Sequence, residues 1–134
     1  MGRQEAAVED SSTDVRLVIP GSLRRVQLAR LVAAGIGGIA GFDVDEIEDL
    51  RIAVDELCVA MLTGGAADQL DLTYRVADGH VEIVGECEYR EGARSITLEP
   101  LAAQILDTVV DEHEISIRGG TRGRFRLRKS RPAV

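Results

Sequence analysis

Residues 43–65 constrain the fold more than any other stretch. Asp43 and Glu46 stand three apart, the spacing of a capping box at a helix start. Beyond them Ile47, Leu50, Val54, Leu57, Cys58 and Met61 recur at three- and four-residue steps, and Gly64-Gly65 ends the run. The spacing predicts an amphipathic helix with one side to bury. Such a helix needs a second layer against it.

The flanking segments supply that layer. Val15 to Ile19 alternate as a strand, stopped by Pro20-Gly21. Ser22 can cap a helix running to about Ala40, with Leu28, Leu31, Val32, Ile36 and Ile39 as its apolar stripe. Gly35, Gly37 and Gly38 weaken that helix, each by about 1 kcal/mol relative to Ala, and can admit a close neighbour. Leu70 to Val76 and Val81 to Val84 read as strands joined at Asp78-Gly79, a strong hairpin signal. Residues 85–99 are polar and irregular. Pro100 opens a third helix reaching Val110. Ile115 to Arg128 reads as a second hairpin, turning near Gly119-Gly120-Thr121.

The order strand, helix, helix, strand, strand, helix, strand, strand predicts an α+β two-layer sandwich. Its sheet is expected to be mostly antiparallel, with the helices on one face. One domain is expected over 14–130, preceded by a disordered polar leader at 1–13 and followed by a tail at 131–134. Aromatic residues make up only 3% of the chain, so Leu, Ile, Val and Ala must fill the core. No apolar run approaches bilayer length and the first fourteen residues lack an h-region, so neither a membrane span nor a signal peptide is expected.

Two cysteines far apart, Cys58 and Cys87, suit a reducing cytoplasm. Cys58 falls on the apolar stripe and reads as a buried inert thiol; a redox-sensitive pair with Cys87 is the other reading. His80 and His113 have no partner at metal-ligand spacing, so no metal site is expected. The net charge of −7 hides an asymmetry: residues 115–134 carry +7 and no acid, which leaves the rest at −14. Arg122, Arg124, Arg126 and Arg128 alternate with Gly123, Phe125 and Leu127, which places all four on one sheet face. That strip is either the solvated face of an edge strand or a docking strip for an acidic partner. Aromatic interleaving is absent, which argues against nucleic acid.

The run Glu46-Ile-Glu-Asp-Leu-Arg-Ile-Ala-Val-Asp-Glu resembles the first nucleotide-binding motif of the GHKL (Bergerat-fold, HATPase-like) ATPases. More narrowly it resembles the anti-sigma-factor serine kinases of the RsbW/SpoIIAB type, whose order of elements matches from Val15 to Lys129. The resemblance implies that Glu56 stands where those proteins carry a general base. Ala60 stands where they carry the asparagine that holds Mg²⁺. A methyl group offers that ion no oxygen, and phosphoryl transfer depends on it.

Two more motifs of the nucleotide pocket depart. Glu86 stands for the adenine-binding aspartate, and Glu88 for a glycine. Residues 89–99 hold a single glycine, Gly92, where the family has a glycine-rich lid. Arg30, by its offset from Glu56, matches an arginine that contacts both the sigma factor and its antagonist; an exposed helix arginine is the plainer reading.

The resemblance therefore implies an anti-sigma factor that sequesters an alternative sigma factor and is released by a STAS-type anti-anti-sigma protein. It further implies a homodimer with lost or weak Mg-ATP binding and Glu56 as a vestige. An active serine kinase that uses Glu56 with an unconventional metal arrangement is the alternative. A third reading keeps the fold for dimerisation alone.

Overall fold

The Asp43 carboxylate accepts from the Glu46 N–H and the Glu46 carboxylate accepts from the Asp43 N–H, both at 2.8 Å. This reciprocal cap satisfies two of the orphan donors at a helix start. The helix that follows, Val44–Thr63, buries Leu50, Ala53, Val54, Leu57, Cys58 and Met61, so its predicted side is its observed side. These features come from a computed structural model that describes residues 14–93 and 95–132. The leader expected at 1–13 and the last two residues of the expected tail lie outside the described residues.

In chain order the elements are β1 (Val15–Pro20), a 3₁₀ turn (Leu23–Arg25), α1 (Val26–Ile39), α2 (Val44–Thr63), β2 (Gln69–Ala77), β3 (His80–Glu88), α3 (Pro100–Val109), β4 (Glu112–Arg118) and β5 (Arg122–Ser130). The five strands form one sheet in the order β1-β2-β3-β5-β4, and every pairing is antiparallel. Leu70, Leu72, Tyr74, Ile83, Phe125 and Leu127 project from one face into the core shared with the helices, all fully buried. The expected α+β class and the helix-on-sheet layering both hold.

The β2–β3 turn follows its sequence. Asp78 and Gly79 both take positive φ, 31° and 77°, as a two-residue hairpin of right-handed twist requires.

Elsewhere the structure corrects the expectation. Strand β3 runs to Glu88 and does not stop at Val84. Gly85 sits on the core face opposite Phe125, and a Cβ there would stand 2.3 Å from the ring. The glycine that reads as a strand end is the space in which the ring lies. Strand β4 starts at Glu112, three residues before the predicted start, so His113 lies within it. Strand β5 is flanked by β3 and β4, which makes it an interior strand, and the edges are β1 and β4.

The largest correction concerns α1. The helix is present, with Ser22 accepting from the Arg24 N–H at its entry, but its packed side is only partly the predicted one. Val26, Ala29, Ala33, Ile36 and Gly37 are buried; of the predicted stripe Ile36 is buried and Val32 packs against the core, whereas Leu28, Leu31 and Ile39 are exposed. Small residues let the helix approach the sheet closely. The Tyr74 hydroxyl, on β2, donates to the Ala29 carbonyl at 2.9 Å across that contact.

A second tyrosine ties the sheet to α2. The buried Tyr89 hydroxyl donates to the Met61 carbonyl at 2.6 Å, in the last turn of the helix. Removing one partner leaves the other without its bond, at a cost of about 1–3 kcal/mol. Tyr89→Phe is expected to lower the unfolding free energy by that amount, seen as a lower urea midpoint with the slope of the transition unchanged. An unchanged midpoint would show that the bond is immaterial.

Candidate functional site

Glu56 and Ala60, one turn apart on α2, both line a cleft of about 470 Å³ between α2 and α3. Val59, Leu98, Leu101, Ala102 and Ile105 give it apolar walls, with Thr63, Thr97 and Glu99 completing it. The Thr63 hydroxyl turns back to its own helix, donating to the Val59 and Ala60 carbonyls at 2.9 and 3.2 Å. Among the described residues no Lys, Arg or His lines the cleft.

The start of α3 faces the same space. Its N-cap is Glu99, whose side chain makes no capping bond, and Pro100 follows without an N–H. A helix start can hold a phosphate on its free N–H groups. This one offers fewer donors and adds a carboxylate of its own. The residues present do not fit a magnesium triphosphate: Ala60 has no side-chain oxygen, no cationic side chain lines the cleft to meet the phosphates, and Glu99 repels them.

The four positions assigned to a degenerate nucleotide pocket are not brought together. Strand β3 continues through residue 88, which turns Glu86 and Glu88 to the sheet face away from the helices. There they line a different depression with Asp71, Cys87 and Arg122. Each pairs with an arginine of β5: Glu86 with Arg124 at 3.6 Å, Glu88 with Arg122 at 3.5 Å.

The arginine strip is on one face, as its alternation requires. The sequence does not reveal that the neighbouring strands carry matching carboxylates. Arg126 meets Glu82 at 2.5 Å and Glu112 at 3.1 Å, Arg128 lies 3.9 Å from Glu112, and Arg124 lies 4.0 Å from Glu114. The strip is therefore a three-strand ladder of alternating sign, with little uncompensated charge to draw an acidic partner.

Arg30 is half-buried and its guanidinium meets Asp55 of α2 at 2.5 Å. The pair joins α1 to α2 one residue before Glu56. It sits beside the outward side of α1, where Leu28, Leu31 and Ile39 are 42%, 55% and 73% exposed. Gly35 and Gly38 share that side, and a Cβ at either would meet nothing within 4 Å. From Leu31 to Gly41 no side chain is polar. A helix that is apolar all round is ordinarily covered all round. This one is covered on one side.

Lys129, at the end of β5, was not singled out by the sequence. It is 9% exposed on the core face, and its ammonium donates to the Val109 carbonyl at 2.7 Å, capping the end of α3. His113 pairs with Asp107 at 2.7 Å. No three His, Cys, Asp or Glu side chains gather as a metal site among the described residues. No helix among them is long and apolar enough to cross a membrane.

Both cysteines are free and buried. Burial, and secondarily the charge of Asp55, pushes the Cys58 thiol far above its ordinary value. Burial raises Cys87 as well. Neither is poised as a thiolate, the form that reacts. The folded state holds the Cys58 proton more tightly than the unfolded chain does. Its contribution to stability is complete below the unfolded thiol's value of about 8.5 and is lost as pH rises above it, at about 1.4 kcal/mol per pH unit. Urea midpoints should fall between pH 8 and pH 10, and less steeply in Cys58→Ala. Equal slopes in the two proteins would contradict this.

No family model matches the chain. Among curated proteins it is 25% identical over 123 residues to the serine-protein kinase RsbW of Bacillus cereus (strain AH187), covering 75% of this chain and 76% of that protein. The serine-protein kinase RsbW of Bacillus thuringiensis subsp. konkukian (strain 97-27) matches with the same identity and coverage. The chain is thus distantly similar to RsbW serine-protein kinases, and its architecture is compatible with a GHKL-like fold.

Proposed function

We propose that this chain is an anti-sigma factor of the RsbW/SpoIIAB type that acts by gripping proteins and not by moving phosphate. It sequesters an alternative sigma factor, pairs with a second copy of itself, and is released by a STAS-type anti-anti-sigma protein. It binds ATP weakly or not at all. The observation that carries this reading is the uncovered apolar side of α1 beside Arg30. Contiguous exposed apolar surface on a folded domain marks an interaction site. The class of partner is the one that the resemblance of residues 46–56 implies, and a distant similarity to RsbW supports it.

The cleft at Glu56 weighs against phosphoryl transfer in the same molecule. Catalysis of that reaction is positioning plus neutralisation of charge by the metal. Ala60 offers the metal nothing and the lining offers the phosphates no cation.

A second reading, an active serine kinase, is favoured by the relatives' kinase identity and by the glutamate retained at position 56. Transfer of labelled phosphate from Mg-ATP to an anti-anti-sigma protein, abolished by Glu56→Gln, would establish it. The test of the leading reading is a pull-down with the sigma factors of the native host. Capture of one of them at micromolar concentration is the expected result; capture of none sinks the idea.

A further inference from the structure

We infer that the cleft between α2 and α3 receives a basic amphipathic helix of a partner protein. The inference rests on the reading above, in which phosphate chemistry has left this site. Its walls are apolar, and two of them are notably uncovered: Leu101 is 67% exposed and Val59 37%. The groove lies between two packed helices, the geometry in which a third helix buries one face. A helix with apolar side chains at i and i+4 matches a trough walled by Val59, Leu101 and Ile105.

Charge settles the sign of the ligand. Both ionisable groups in the lining are carboxylates, Glu56 and Glu99. Neither side chain has a hydrogen-bond or ion-pair partner among the described residues. By contrast Asp55 is taken by Arg30, and Glu82, Glu86, Glu88, Glu112 and Glu114 are all taken by arginines. In a molecule that pairs so many of its acids, two unpaired carboxylates stand on one apolar trough. A Lys or Arg between the ligand's apolar positions reaches them while its stem lies along the walls. An anionic nucleotide meets repulsion at both.

The test uses a fluorescein-labelled peptide of about twenty residues, above the length at which isolated helices are marginal, with Leu at i and i+4 and Lys between. A control peptide carries Glu for each Lys. Anisotropy titration of the whole chain should show saturable binding of the Lys peptide and none of the Glu peptide. Glu56→Gln and Glu99→Gln should each weaken binding by about three- to tenfold, and Leu101→Ser should weaken it as well. Glu91→Gln, on an exposed loop away from the cleft, should change it less than about twofold.

Equal weakening by Glu91→Gln would mean that overall acidity alone attracts the peptide, and would overturn the inference. So would the absence of saturable binding. If a sigma factor is still captured in that case, the proposed function stands and this inference alone fails. Displacement of the peptide by Mg-ATP would overturn both, because the cleft would then be a nucleotide site.

Discussion

Gly21→Ala is expected to cost about 3 kcal/mol or more, at or beyond the upper end of the usual range for a point substitution. A Cβ on Gly21 would stand 2.1 Å from the Ala67 carbonyl oxygen and 2.9 Å from its carbon. Both are backbone atoms, so no rotamer change can relieve the overlap. The Gly21 N–H donates to the Asp68 carbonyl at 3.0 Å, fixing the two segments at that separation. Relief requires β1 to move away from β2. Strand β1 is an edge strand paired to β2 alone, and it carries Ile19, 2% exposed, into the core. Separation would open the core beneath α1. Urea unfolding followed by circular dichroism checks this; a loss below about 1 kcal/mol would show that the segments are free to shift.

The second large effect is on binding. Leu31→Asp combined with Ile39→Asp should abolish capture of the sigma factor, by about a hundredfold or more. Both side chains point away from the core, so the fold should lose little. A carboxylate buried in an apolar contact without a partner is costly, and the cost falls on the complex alone. The result to be expected is a double variant with native circular dichroism that elutes free of the partner. Unchanged capture would place the interface elsewhere on the molecule.

Much of the fold is legible because its signals are local. The Asp43–Glu46 cap, the period of α2, the Asp78-Gly79 turn and Pro100 at the start of α3 each depend on residues within one or two turns. The packed side of α1 is not legible. Leu28, Leu31 and Ile39 form one periodic stripe, and Val26, Ala29, Ala33, Ile36 and Gly37 form another. Hydropathy favours the larger residues, whereas close approach to the sheet and α2 selects the smaller ones. What the pattern hides is the informative part, since the stripe left outside is the surface offered to a partner.

The site is legible to the same degree. The four-residue spacing puts Glu56 and Ala60 on one side of α2, and they share a cleft. Glu86 and Glu88 leave that grouping because Gly85 disguises the continuation of β3. Their pairing with Arg124 and Arg122 depends on the register between β3 and β5, strands far apart in sequence.

 Register of that kind is set by the whole sheet and leaves no local trace. Glu99 is missed for the same reason: only the docking of α3 on α2 brings it across from Glu56.

Calorimetric titration with Mg-ATP is the most direct test of a scaffold that no longer handles nucleotide. No saturable heat is expected up to millimolar ATP, with or without magnesium, and no change in Glu56→Gln. Micromolar, magnesium-dependent binding that Glu56→Gln weakens would contradict it.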